Sequence, residues 1–511
     1  MNWVLHNKFG DRGKADFDIN DREWSTVNVD NCSFEKCYHR RECHFYNMRT
    51  QISDIGSQDV IIINQDLLVA DLIRKQKELP PLLTTRAPLI IIDEAHNLES
   101  KVRNALTNVW SLKSLRRLAK NLDNQFSTTP TYNENRKYLA AFELQIEALF
   151  KVLFKQIKDK KIDPSFMQSE RFAIDFPLEI DYQQWKKIIN KFSVALTSLQ
   201  ARHNGFKSRT IDELAEQLDQ MWKLMKDIEK GIVSPILLWT TCENDVVELY
   251  SCPKEIQNLL KEILFKTSEP VVLTSATLCQ PAEKIKDQYQ YIVKSLGFPG
   301  IVTEPKYADY DYNHNSRLYV ANDIPEPSHQ KGDEYYQLVA DRILMLSNMT
   351  DGRSIVLFTA KDDLNRVHQI MSARSLAFPL YTQQDGSSQS TVLQRFRRNH
   401  GVLLGTGVFW EGVDIKGDDL SQVIIVRLPF PVPDPIIDYK ASLSVNPHKE
   451  VLLPEMLIKL RQGVGRLIRM ENDKGVLSIL DSRLSTASNK SYKDLVFRSL
   501  PIQNRTESLD E

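Results

Sequence analysis

Two parallel-sheet α/β domains, the first interrupted by a long helical insertion, are what this sequence predicts. Three observations carry that reading. Short apolar, often β-branched runs occur at 60–93 and return at 235–278. Between about 99 and 233 the apolar residues instead recur at three- and four-residue spacing among charges. Beyond 316 a second series of strand-like runs alternates with helical patterns, as parallel sheets require.

In order, VIIINQDLLVADLI (60–73) predicts a strand opening into a helix, and LIIID (89–93) a second buried strand. Segments such as VWSLKSLRRLAKNLDNQF and IDELAEQLDQMWKLMKDIEKG then predict amphipathic helices. PILLW, VVELY and VVLTSATL predict that the first sheet resumes after them. The polar, turn-rich KYADYDYNHNS (306–316) separates this from RLYV, EYYQLVADRILMLSNM, RSIVLFTA, GVLLGT, QVIIVRL and GVLSIL, the strands and first helix of the second domain. The expected organisation is a cysteine-bearing segment at 1–46, the first domain at 47–100 and 233–305, the insertion at 101–232, the second domain at 306–500, and a polar tail at 501–511.

The 511 residues are enough for two to four domains. With 66 basic and 67 acidic residues the net charge is −1, so any polyanion must be held in a local groove rather than by a field over the whole chain. No apolar run approaches the roughly 18 residues of a membrane span. MNWVLHNKFGDRGKAD has no apolar core of roughly 7–15 residues, so no export signal is read there and a cytoplasmic address is expected.

Four stretches carry chemistry. In DEAH (93–96) a carboxylate ends a buried parallel strand, where such sheets bind ligands; Asp93 suits a magnesium ion and Glu94 an attacking water, with His96 beside them. A helix N-cap with a solvent-facing acid pair would read the same way. In RQGVGRLIR (461–469), helical spacing puts Gln462, Arg466 and Arg469 on one face, with Gly465 between, and paired guanidinium groups suit a triphosphate. An exposed basic helix face is the alternative. LLGTGVFWEGVDIKG (403–417) is a strand and glycine-punctuated loop in which Thr406 and Gly407 offer donors to a phosphate and Glu411 and Asp414 add acid. VVLTSATL (271–278) runs a strand into small hydroxyl residues that can bond across a cleft or simply form a Ser/Thr turn.

Taken in this order, DEAH, TSATL, GTGVFWEGVDIKG and QGVGRLIR resemble the motifs of superfamily-two helicases of the XPD/DinG family of iron-sulfur DNA helicases, closest in FWEGVD to the bacterial DinG branch. The resemblance covers about residues 25–490. It implies two RecA-like domains with ATP and Mg²⁺ between them, Asp93 and Glu94 on magnesium and water, and Arg466 and Arg469 as arginine fingers. It further implies Gln462, Gly465 and His96 near the nucleotide, and Glu411, Gly412 and Asp414 in a loop facing both nucleotide and DNA. Ser275, Thr277, Thr406 and Gly407 would couple hydrolysis to DNA. The insertion would be the family's arch, and the substrate single-stranded and forked DNA, worked on 5′ to 3′ by a monomer.

Cys32, Cys37 and Cys43 precede DEAH, where the family places the last three of four ligands of a 4Fe-4S cluster; no cysteine precedes Cys32. From the residues alone, buried thiols are the more ordinary reading. A phosphate-binding loop, Gly-x4-Gly-Lys-Ser/Thr, is also missing: Gly13-Lys14 is followed by Ala15 and preceded, five residues before Gly13, by Lys8. Two expectations follow. The chain is a truncated or split helicase that needs an N-terminal segment to hydrolyse ATP, or it is a catalytically inactive nucleic-acid-binding module on the same scaffold.

Overall fold

The structure, a computed structural model, describes residues 23–24, 42–47, 60–79, 81–83, 87–162, 170–175, 177–202, 209–307, 310–327, 332–383, 389–411, 415 and 417–509. Three sheets organise them.

The first domain holds a parallel pair, β1 (Ile90–Ile92) and β6 (Val271–Leu273), in register Ile90↔Val271 through Ile92↔Leu273. One face packs on α1 (Gln65–Gln76), α2 (Leu98–Leu106), α7 (Ile256–Leu260) and α8 (Gln290–Leu296) through Val69, Ile92, Leu98, Ile256 and Leu296. The run at 60–64 does not form the expected strand. Val60 and Ile62 are exposed, and Asn64 ends the run by capping α1, its side chain accepting from the Leu67 N–H at 2.8 Å.

The insertion is a four-helix layer on a sheet of its own. Helices α3 (Leu112–Phe126), α4 (Tyr132–Lys161), α5 (Tyr182–Arg202) and α6 (Arg209–Lys230) bury one large core, in which the Phe142 ring meets Trp185 and Phe192 edge-on at 5.6 and 5.5 Å. Beneath lies an antiparallel sheet of order β2-β5-β4-β3, with β2 at Asn108–Ser111, β3 at Arg171–Ala173, β4 at Ile236–Glu243 and β5 at Val246–Pro253. PILLW and VVELY are therefore strands as expected, but they do not resume the first parallel sheet; only β6 does. The reason is local. β4 and β5 are joined by Asn244-Asp245, both left-handed (φ 49° and 61°), the two-residue hairpin that forces antiparallel pairing, whereas parallel neighbours need a long crossover.

The second domain is built on seven parallel strands, β13-β7-β12-β11-β8-β10-β9. They are β7 (Ser316–Val320), β8 (Ser354–Leu357), β9 (Leu380–Thr382), β10 (Val402–Gly405), β11 (Gln422–Ile425), β12 (Gly475–Ile479) and β13 (Arg505–Thr506). Helices α9 (Asp333–Asn348) and α10 (Lys361–Ser372) cover one face. The other carries α11 (Gln389–Asn399), α13 (Leu453–Val464) and α14 (Lys493–Ser499), with α12 (Pro435–Ser442) running toward the first domain. Every residue of β8, β10 and β11 is buried, the pattern of strands covered on both sides.

Candidate nucleotide site

β1 ends at Ile92, and the chain turns sharply through Asp93 and Glu94. The turn is stitched to the end of β6: Thr274 N–H donates to Ile92 O at 2.9 Å and Ala95 N–H to Thr274 O at 3.0 Å. Glu94 is left-handed (φ 49°, ψ 43°), a conformation disfavoured for a residue with a Cβ. Its neighbours hold it there. Gln65 Nε2 donates to the carbonyls of Asp93 and Glu94 at 2.6 and 3.1 Å, Asn97 N–H donates to Glu94 O at 2.9 Å, and Asp93 Oδ1 accepts the Glu94 N–H at 2.9 Å. Both carboxylates face solvent at the carboxyl end of the strand. An exposed oxygen donor there is the kind a hard cation takes, its remaining ligands being water and phosphate.

His96 turns inward and joins the domains. Gln462 Nε2 lies 2.5 Å from His96 Nε2, so the amide donates and that ring nitrogen accepts. The proton then sits on Nδ1, which reaches Ser275 Oγ at 2.7 Å and Thr277 Oγ1 at 3.1 Å. Ser275 in turn donates to Glu94 Oε2 at 3.0 Å. A directed chain thus runs from Gln462 in the second domain to the Glu94 carboxylate in the first. Burial holds the His96 pKa down, against the pull of Glu94, and the neutral ring is the form this chain requires. Arg461 adds a second cross-domain bond, Nη2 to Thr277 O at 2.9 Å.

On the second-domain side, α13 stops at Val464 with Gly465 as its cap. Arg466 and Arg469 therefore do not continue the helical face with Gln462 that their spacing predicts. Glycines at 463 and 465 weaken the helix, and its backbone tightens to Arg466 N–H→Gly463 O and Leu467 N–H→Val464 O. Gly463 is needed for close approach, since a Cβ there would sit 3.0 Å from Leu357 Cδ1 and from two ring atoms of Trp410. Arg466 Nη2 donates to Trp410 O at 3.2 Å, tying it to the loop after β10. Arg469 is set by its backbone: its N–H donates to Asp473 at 2.8 Å and its carbonyl accepts from Tyr310 at 2.9 Å.

That loop hangs on Phe409 and Trp410, both fully buried, with Trp410 Nε1 donating to Phe358 O at 2.8 Å. Thr406 is half-buried, and Gly407 (φ 51°) and Glu411 are exposed. Gly412 and Asp414 lie outside the described residues, as do Cys32 and Cys37. Cys43 is a free, half-buried thiol. Among the described residues no three His, Cys, Asp or Glu side chains gather to hold a metal ion, and no helix is long and apolar enough to cross a membrane.

Of the expected site residues, the structure joins Glu94, His96, Ser275, Thr277 and Gln462 in one network and places Arg466 against the loop of Thr406, Gly407 and Glu411. Gln65 and Arg461 were not anticipated. Arg461 adjoins Gln462 and was open to suspicion on that ground; nothing in the local sequence marks Gln65, whose partners lie 28 and 29 residues away.

A helicase C-terminal domain model matches residues 343–502 and the DEAD_2 model residues 16–115, the two stretches that supply the opposite sides of this cleft. The chain belongs to the XPD/DinG family of superfamily-two helicases. It is 27% identical to a 3′-5′ exonuclease DinG of Bacillus subtilis (strain 168) over 99% of its own length and 58% of that protein's, so it spans little more than half of that relative. It is 26% identical to the ATP-dependent DNA helicase YoaA of Escherichia coli (strain K12), covering 95% of this chain and 73% of that one. Its fold is that of XPD: an XPD helicase structure matches 98% of this chain and 82% of its own at a TM-score of 0.57 and 18% identity, and an apo XPD structure 92% and 90% at 0.55 and 17%. The two parallel-sheet domains are thus the RecA-like pair of that family.

Proposed function

We propose that this chain is the translocating body of a DinG-type, ATP-dependent DNA helicase, moving 5′ to 3′ on single-stranded DNA as a cytoplasmic monomer. The observation that carries the reading is the Gln462–His96–Ser275–Glu94 chain, in which three motifs from two domains converge on one carboxylate. In this reading Asp93 anchors magnesium, which when bound neutralises charge on the terminal phosphates. Glu94 orients the attacking water. Arg466 and Arg469 bring fixed positive charge to the transferred phosphoryl group, while Thr406, Gly407, Glu411, Gly412 and Asp414 face nucleotide and DNA. Closure of the domains would bring Gln462 to His96, so that Ser275 and Thr277 register both the state of Glu94 and the position of the second domain. Cys32, Cys37 and Cys43 would supply three of the four thiolates of a 4Fe-4S cluster, and the fourth cysteine of the family pattern is missing from these 511 residues.

The 511 residues contain no Gly-x4-Gly-Lys-Ser/Thr, so hydrolysis in this reading needs a phosphate-binding segment supplied in addition to them. The same absence supports a second reading, a nucleic-acid-binding module that does not hydrolyse ATP. DNA-stimulated ATPase and single-strand binding of the purified chain separate the possibilities. Negligible turnover with salt-sensitive DNA binding is expected. Robust turnover abolished by Glu94→Gln would overturn the need for a further segment, and no DNA binding would overturn both readings.

A further inference from the structure

Behind the cleft lies a charge cluster that no motif marks. Lys440 on α12 places Nζ 2.6 Å from Glu99 Oε2 on α2, 2.9 Å from Glu455 Oε1 on α13 and 3.1 Å from the Tyr291 hydroxyl. Tyr291 donates to Glu455. Arg103, one turn along α2, donates from Nε to Glu99 Oε1 at 2.9 Å and from its terminal nitrogens to the carbonyls of Pro253 and Lys254 at 3.1 and 3.3 Å. The centre of the cluster is sheltered, the Glu99 and Lys440 side chains being 10% and 15% exposed, while Glu455 at its edge is half-buried. The two facing carboxylates and the phenol favour the charged ammonium strongly enough to overcome its burial, and the Lys440 pKa is raised.

Two cations and two anions make the cluster neutral. More telling is how it divides at the domain boundary. Glu99 and Arg103 belong to the first domain, Lys440 and Glu455 to the second, and each pair is neutral by itself. Dehydrating a lone ion is expensive; dehydrating an ion already held by its counter-ion costs much less. Domains closing on this cluster therefore bring together two pre-neutralised halves, and domains parting leave no charge without its partner.

Its position ties it to the site. Glu99 follows His96 by three residues, and Glu455 precedes Gln462 by seven on the same helix, about 10 Å at an α-helical rise. The His96–Gln462 bond and the charge cluster are thus two separated ties between the same two domains, which fix orientation as well as distance.

We propose that Glu99, Arg103, Lys440 and Glu455 form a reclosable latch that positions α13, and with it Gln462 and Arg466, against the DEAH turn, and that splits into two neutral pairs when the domains separate. The positioning role rests on the nucleotide-site reading above; the latch itself does not.

The test needs no nucleotide, so its failure is distinct from failure of that reading. Donor and acceptor dyes attached at exposed Lys261 in the first domain and exposed Lys474 in the second report the ratio of closed to open molecules by single-molecule energy transfer. Lys440→Met leaves Glu99 and Glu455 facing each other with one cation fewer, and the closed-to-open ratio is expected to fall roughly 100-fold, with the far-UV circular dichroism of the folded domains unchanged. Lys440→Met combined with Glu455→Gln makes the second half neutral again and is expected to restore most of the closed population, which a merely structural lysine would not allow. Glu99→Gln, which leaves Arg103 and Lys440 facing each other, tests the same balance from the first domain and serves if Lys440→Met does not fold. A closed population unchanged in Lys440→Met and Glu99→Gln, or a double variant as open as the single one, would overturn the latch.

Discussion

The two parallel sheets of this protein are made of the same kind of strand and end up in different surroundings. In the second domain Val423 lies between Ile355 and Leu477, at zero exposure, with helices above and below. In the first, Ile91 and Val272 are neighbours in register on one face, and they remain 64% and 47% exposed. Buried parallel strands are normally covered on both sides. The difference teaches that a β-branched run encodes a strand's readiness to be buried, while the layer that buries it is encoded elsewhere in the chain.

The largest effect that tests this contrast comes from placing a charge in each sheet. Val423→Asp is expected to cost more than about 4 kcal/mol and to abolish folding of the second domain, whereas Ile91→Asp should change stability by no more than about 1 kcal/mol in urea titrations. Equal costs would mean that the Ile91 face is covered in solution. An intermediate effect belongs to the second domain alone: in Gly463→Ala the new methyl meets Leu357 and Trp410 at 3.0 Å, and about 1–3 kcal/mol of overpacking should appear as a lower urea midpoint. If the midpoint does not move, the helix and the Trp410 loop are less tightly seated than their distances imply. The smallest effect sharpens the first-domain side. Ile91→Thr should leave stability within about 0.5 kcal/mol while reducing self-association in light scattering, because it removes apolar area from an open surface.

Most of the architecture was legible because its signals are local. Apolar periodicity located the insertion helices and the second-domain strands, and the order of four short motifs identified the family. What escaped was partnership. Nothing in PILLW or VVELY says which sheet it joins, although Asn244-Asp245 between them carried the hairpin and with it the antiparallel answer. The arginines at 466 and 469 were read as helical from spacing, where the two glycines before them argued for a stop. At the site, His96, Ser275, Thr277 and Gln462 were all named from their motifs, but the direction of their hydrogen bonds follows only from coordinates. Gln65, Lys440 and Glu99 were invisible for a simpler reason: each is an ordinary polar residue on a helix, and its meaning lies in a partner 28 to 341 positions away.

One consequence concerns how freely this architecture can vary. The insertion leaves the first domain through β2 and returns to it through β5, antiparallel neighbours in which Asn108 at the entrance stands opposite Ser251 near the exit. Its entrance and exit are therefore separated by about one strand spacing, near 4.8 Å, whatever the size of the excursion between them. Helices can be lengthened, exchanged or removed there without altering the register of the sheet that carries the DEAH turn. The two-sheet core and its appendage can evolve at different rates, and an engineer could graft another compact domain at the same doorway.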